Sequence, residues 1–217
     1  MYIFKLLKKS KQEKKYIAFT FDDGPSKEYT NKILKILKRN NAKATFFVLG
    51  TRALENVHLL EQIIKNDCEI GNHTYNHELT IEDKESEIID SIRKAQNIIY
   101  SHTNISPRFL RLPGGHVLDD VDTIKSMGLC YIGWNVESGD WFSENPDDIY
   151  MNTKREIQEG CIVIFHDIYD RSVKALDKLL KDLKKEGYVA TTVSELFKHY
   201  DVKLEAGKVY KGVNIHE

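Results

Sequence analysis

Tyr16-Ile17-Ala18-Phe19-Thr20-Phe21-Asp22-Asp23-Gly24-Pro25 is the stretch that decides the fold. Its first six residues are apolar enough to form a buried strand, and the run stops at two adjacent carboxylates and a Gly-Pro turn signal. Two acids side by side at a strand end repel each other, so another charge must hold them, and a metal ion is the obvious candidate. Further along, Gly71-Asn72-His73-Thr74-Tyr75-Asn76-His77 carries two histidines at i and i+4. On a helical turn that spacing puts both imidazoles on one face, as a metal site requires. Taken singly, the acidic pair also reads as a helix-capping turn and the histidines as surface residues.

Outward from this stretch, strand-like and helix-like patterns alternate. Ile33, Leu34 and Leu37 recur at helical spacing in residues 27–40, and residues 44–49 follow as a buried strand. A run with Leu59, Leu60, Ile63 and Ile64 leads to a short strand at 68–70. The long run 82–102 places Ile88, Ile92, Ala95 and Ile99 on one core-facing stripe. Strands are expected at 108–112, 129–134, 161–165 and 188–191, with helices at 119–127, 146–159, 173–186 and 193–200.

Repeated strand-helix units predict a parallel sheet with helical cover. Asp22, Asp23, His73, His77, Arg111, Asp140 and His166 all fall just after the carboxyl ends of different strands. In a (β/α) barrel those loops share one mouth, whereas in an open sheet they spread along an edge. The expectation is an α/β chain forming a (β/α) barrel, with fewer than eight strands. Residues 16–200 form its domain, 1–15 a basic lead-in, and 201–217, which lack a strong period, a loosely packed C-terminal extension.

Composition narrows the class. The 217 residues, 41% of them hydrophobic, suffice for one buried core. With 32 basic against 33 acidic residues, the balance gives no reason to expect nucleic acid as a partner. Cys68, Cys130 and Cys161 are far apart among apolar neighbours and read as buried thiols rather than as a disulfide scaffold. At the start, an apolar head precedes a basic cluster, the reverse of a signal peptide, and it is too short for a membrane span. As written the chain is therefore expected to be cytoplasmic, with action at the cell envelope or outside it if a leader precedes it. His58, His102, His116, His199 and His216 lack ligand partners at useful spacing, and Lys181 to Lys185 read as a solvated helix face.

Five segments in order carry a resemblance: Thr20-Phe-Asp-Asp-Gly-Pro25, His73-Thr-Tyr-Asn-His77, Arg111-Leu-Pro-Gly-Gly115, Ser138-Gly-Asp-Trp141 and Ile164-Phe-His166. Together they resemble the motifs of the polysaccharide deacetylases, the NodB-homology or carbohydrate esterase family 4 domain. The resemblance covers about residues 16–200. It implies a distorted (β/α) barrel of the NodB-homology type and a hydrolase that removes the N-acetyl group from N-acetylglucosamine-type sugars in peptidoglycan or chitin-like glycans, and in some members an O-acetyl group.

By that resemblance Asp23, His73 and His77 hold a divalent metal, zinc first and cobalt or another ion as alternatives, with one position left for water. Asp22 matches the general base and His166 the general acid, an assignment between the two carboxylates that the residues alone do not make. Arg111 matches the arginine that holds the base, and Asp140 the aspartate that bonds the catalytic histidine. Gly114 would offer a backbone N–H to the oxyanion, and Trp141 and Ile164 would line the pocket for the acetyl methyl. One departure stands out: Asn135-Val-Glu-Ser138 replaces the Asp-x-Asp-Ser that many members carry. Two other readings keep their place, an amide hydrolase of the same barrel type acting on small cyclic or formyl amides, and a carbohydrate-binding domain without chemistry.

Overall fold

A computed structural model describes residues 14–78 and 84–213. Most of the basic lead-in and the last four residues, His216 among them, lie outside the described residues. The central strand β1 (Lys15–Asp22) is paired in parallel on both sides. On one side lies β7 (Ile162–His166), followed by β6 (Val136–Glu137). On the other come β2 (Thr45–Val48), β3 (Glu69–Asn72), β4 (Phe109–Leu110), β5 (Cys130–Ile132) and β9 (Val209–Tyr210). A further strand, β8 (Tyr188–Thr191), pairs with the first half of β1 only. Every pairing between these strands is parallel, so their carboxyl ends share one rim.

The result is the expected distorted barrel, a curled parallel sheet with helices outside. Its strand count exceeds the fewer than eight expected, because β6 and β9 are two residues long and leave no periodic trace in sequence. Helices α1 (Thr30–Asn40), α2 (Gly50–Glu55), α3 (Val57–Lys65), α4 (Glu85–Thr103), α5 (Val121–Ser126), α6 (Pro146–Glu156) and α7 (Asp170–Lys185) connect the strands. Among the described residues none is long and apolar enough to cross a membrane.

Alternation along β1 explains how the barrel is filled. Ile17, Phe19 and Phe21 point outward into the core formed with Ile33, Leu34 and Leu37 of α1 and Leu176, Leu179 and Leu183 of α7. Ala18 points inward, where it meets Phe47, Phe109, Ile132 and Ile162. Helix α8 (Val193–His199) inserts Val193, Leu196 and Phe197 into the same cluster. It thereby plugs the end of the barrel where β1 begins. Thr20 and Asp22 continue the inward row toward the opposite end, so the interior turns from apolar to polar on approaching the rim. Cys68, Cys130 and Cys161 are free and buried, as expected.

Residues 201–213 are not the loose extension that the sequence suggests. β9 pairs with β5, and Tyr210 packs edge-on against Phe197 with ring centroids 5.3 Å apart. The chain then reaches the far side of the curled sheet, where Gly212 bridges Cys161 and the Val213 N–H donates to the Gly160 carbonyl at 2.8 Å. The tail thus stitches the barrel's open side. A two-residue strand draws its stability from these partners, and no local pattern announces it.

Truncation after Tyr200 should therefore destabilise the whole domain. Losing the apolar contacts of Leu204, Tyr210 and Val213 alone forfeits about 2–4 kcal/mol at partial burial, or roughly 4 °C or more in Tm. Thermal denaturation of the truncated chain checks this, and an unchanged Tm would contradict the packed tail.

Candidate active site

The site begins with the register of β1 against β7, which sets Asp22 directly opposite His166. Asp22 is the last inward residue of its strand and is nearly inaccessible to solvent. Its Oδ1 accepts from Arg111 Nη1 at 2.7 Å. The Arg111 guanidinium is itself fully buried. It donates from Nη1 to Thr20 Oγ1 at 2.8 Å, from Nε to the Ile132 carbonyl at 2.8 Å and from Nη2 to the Gly133 carbonyl at 2.9 Å. The rings of Phe47 and Trp134 lie 4.2 and 5.3 Å from its central carbon. A planar fork so placed leaves Asp22 little freedom.

Strand alternation would send Asp23 away from this group, yet its carboxylate lies nearby. The reason is the backbone: Asp23 has φ 72°, a left-handed conformation that ends the alternation. Asp23 Oδ1 stands 3.3 Å from His73 Nε2 and 3.4 Å from His77 Nε2.

The expected helical turn at the histidine pair is absent. Residues 73–78 form a loop in which Thr74 and His77 both have positive φ, at 71° and 61°. The imidazoles meet all the same, with centroids 5.4 Å apart. Side chains that sequence reading passed over hold this loop. Asn72 Oδ1 accepts from the Thr74 N–H at 2.8 Å while its amide donates to the Ile92 carbonyl at 2.9 Å on α4. Thr74 Oγ1 accepts from the His77 N–H, and Ser91 Oγ accepts from the Tyr75 N–H. An Asn at a strand end, two residues before a turn, is the signal that could have found the first of these.

Asp23, His73 and His77 fit a divalent metal. One ligand atom from each lies within 4.8 Å of the others. His73 Nδ1 donates to the Arg111 carbonyl at 2.7 Å, which fixes the tautomer that presents Nε2. Asp23 Oδ1 is buried and accepts no hydrogen bond, an unmet demand that a cation satisfies. Burial alone would raise the Asp23 pKa, but the adjacent His73 imidazole, with lesser help from the charges of His166 and His77, brings the carboxyl down to about 2.

His166 is buttressed as the resemblance implies. Its Nδ1 and its backbone N–H donate to the two carboxylate oxygens of Asp140, each at 2.7 Å. Asp140 is fully buried and also accepts from Ser172 Oγ at 2.5 Å, while Arg171 Nε donates to its carbonyl. Ser172 and Arg171 belong to α7 and carry no motif of their own. Burial opposes the imidazolium, but the Asp140 bond and charge outweigh it, and with Asp22 and Asp23 they push His166 up to about 9.

The expected substrate-contacting residues are placed as follows. Ile164 is buried on the inward face of β7, two residues before His166. Trp141 is 56% exposed, so it is not core, and its Nε1 donates to Glu137 Oε1 at 2.8 Å. Gly114, with φ 69°, occupies an exposed 3-10 turn that follows Arg111 and Leu112. The departing segment has its own structural use. Asn135 pairs with the backbone of Ile162 through both its N–H and its Oδ1, tying the loop to β7.

Comparison with known proteins places the chain in one family. A family profile described as polysaccharide deacetylase matches residues 9–132. The peptidoglycan-N-acetylglucosamine deacetylase PgdA of Listeria monocytogenes is 36% identical over 196 residues, 90% of this chain. The chain spans only 41% of that relative's length. A peptidoglycan-N-acetylglucosamine deacetylase of Bacillus cereus is 37% identical over 191 residues, 85% of this chain and 89% of its own. Among solved structures, a family 4 acetyl xylan esterase of Clostridium thermocellum, in complex with a cobalt ion, superposes with TM-score 0.83 at 27% identity. That match covers 93% of this chain and all of the esterase chain.

Asp140→Asn should move the His166 titration from about 9 to well below that value, read by NMR of the imidazole carbons. A raised folded-state pKa stabilises below the unfolded value of about 6.5 and loses that contribution as pH rises through about 9. The stability gap between wild type and variant should therefore be widest below pH 6.5 and close toward pH 10. An unmoved titration would show that Asp140 does not set the charge on His166.

Proposed function

This chain belongs to the polysaccharide deacetylase family, and from that premise we propose that it hydrolyses N-acetyl groups on N-acetylglucosamine-containing glycans. Peptidoglycan is the favoured class, because the Listeria and Bacillus relatives are named for it, with a chitin-like glycan as the alternative. One observation carries the reading. Two adjacent carboxylates have different partners: Asp22 lies on Arg111 and opposite His166, while Asp23 lies between two imidazoles.

Asp23, His73 and His77 would hold a divalent ion, zinc first and cobalt as an alternative, which when bound supplies the Lewis acidity that makes water acidic near neutrality and polarises the acetyl carbonyl. Asp22 takes the proton from the attacking water, and Arg111 fixes the direction from which its carboxylate does so. The N–H of Gly114 donates to the carbonyl oxygen as negative charge develops there. The amine leaves poorly unless protonated. His166 delivers that proton from Nε2, because Asp140 holds the proton on Nδ1 and keeps the ring charged at pH 7. Ile164 and Trp141 bound a pocket for the acetyl methyl, and its small size rejects longer acyl groups.

Ester cleavage is the second reading, favoured by the acetyl xylan esterase likeness. The same carboxylate and imidazole serve it, and an alcohol leaves more easily than an amine.

Chelated protein should release no acetate from N-acetylglucosamine oligomers, and adding zinc or cobalt back should restore release. Asp22→Asn should bind the metal as tightly as wild type while losing release about 10²- to 10⁴-fold. Near-normal turnover in that variant would remove Asp22 from the role of base. Release from acetylated xylan alone would shift the assignment to the ester.

A further inference from the structure

Asp167 has no part in the chemistry above, yet its carboxyl is wholly buried beneath the turn that carries both site aspartates. Its position is defined from several directions. The Asp167 N–H donates to the Asp22 carbonyl at 3.3 Å. Its Oδ2 accepts from the Thr30 hydroxyl at the start of α1, and Thr30 Oγ1 in turn accepts from the Ser26 N–H at 2.7 Å. The carboxyl also occupies the space where a side chain on Gly24 would begin: a Cβ there would stand 2.2 Å from Oδ1 and 2.5 Å from Cγ. Gly24 is thus required by Asp167, whatever its own backbone angles.

The other side of the turn is held as firmly. The Gly24 carbonyl accepts from the Leu49 N–H at 2.9 Å at the end of β2, and Asn56 Nδ2 donates to the Pro25 carbonyl at 3.4 Å. Gly24 and Pro25 are therefore gripped between the end of β2 on one face and the Asp167 carboxyl on the other. The residue immediately before this grip is Asp23, whose left-handed backbone costs free energy that only its surroundings can offset. Asp167 itself is expensive. Burial pushes its carboxyl up to about 7, and Oδ1 has no hydrogen-bond partner among the described residues. An aliphatic side chain would fill the space at less cost but would make no bond to Thr30, and such a cost persists where it fixes a functional geometry.

We propose that Asp167 is a positioning residue for the metal centre: wedged under Gly24 and bonded to Thr30, it locks the turn that aims the Asp23 carboxylate between His73 and His77. The same residue follows His166 directly and bonds the end of β1, so one peg fixes the metal-side carboxylate relative to the acid. The inference rests on the reading of Asp23 as a metal ligand. Without the peg the turn relaxes toward ordinary backbone angles, and Asp23 leaves the gap between the imidazoles.

The test is zinc affinity, measured by competition against a chelating dye on the full chain, with no substrate present. Asp167→Ala should bind zinc about tenfold or more weakly, the scale typical of lost outer partners of a metal ligand. Asp167→Asn should recover most of that affinity, because the amide has the same shape and its oxygen can accept from Thr30. Ile149→Ala, in the core outside the turn, should lower Tm while leaving zinc affinity unchanged, which separates positioning from general stability. If Asp167→Ala does not fold, Thr30→Val keeps the shape, removes the hydroxyl and should cost about threefold or more. Wild-type affinity in Asp167→Ala, or in Thr30→Val where that variant carries the test, would overturn the proposal and leave the metal-dependent reading intact. Equal weakening in Asp167→Asn and Asp167→Ala would overturn it in favour of charge. Absence of zinc binding by the wild-type protein would overturn both.

Discussion

The buried contact between Arg111 and Asp22 is the interaction on which the site depends. Taking a guanidinium out of water costs several kcal/mol, and here the cost is met by Asp22, Thr20 and the carbonyls of Ile132 and Gly133. Those partners belong to β1 and to the end of β5, and Arg111 itself follows β4, so one side chain ties together three strand ends. Removing either charged partner would strand the other inside the barrel at about 3–5 kcal/mol, a large share of a total of about 5–15 kcal/mol. The pair also passes its rigidity on, because the Arg111 carbonyl accepts from His73 Nδ1. The same residue therefore holds the Asp22 carboxylate with its side chain and the His73 imidazole with its backbone.

From this anchor the rest of the site is a matter of parity. Ala18, Thr20 and Asp22 face inward because they alternate with Ile17, Phe19 and Phe21, which the outer helices require. Phe109 in β4 and Arg111 just past it repeat the pattern, as do Ile162, Ile164 and His166 along β7. A left-handed backbone at Asp23 breaks the alternation there, and it gives two adjacent identical side chains different partners.

Much of this is legible from sequence for a physical reason. Buried parallel strands are continuous apolar runs, and polar residues where such runs stop can only be at the rim, so β1, β2, β5 and β7 and the residues Asp22, Asp23, His73, Arg111 and His166 stand out. What sequence does not reveal is held by contacts distant along the chain. The seam strand β9 exists because β5 and Cys161 receive it. His73 and His77 have helical spacing, yet Asn72 and Thr74 shape a loop that brings their rings together by another route. Asp167 reads as an ordinary polar residue after a strand, and its burial under Gly24 follows only from the folded turn.

Whether Asp22 and Asp23 divide the labour is read from a crystal structure of zinc-soaked protein with anomalous data at the zinc edge. The expected result is one ion, bound by Asp23, His73 Nε2 and His77 Nε2, with Asp22 still on Arg111. An ion bound by Asp22 or seated elsewhere would contradict it, as would an Asp22 that leaves Arg111 when the ion binds.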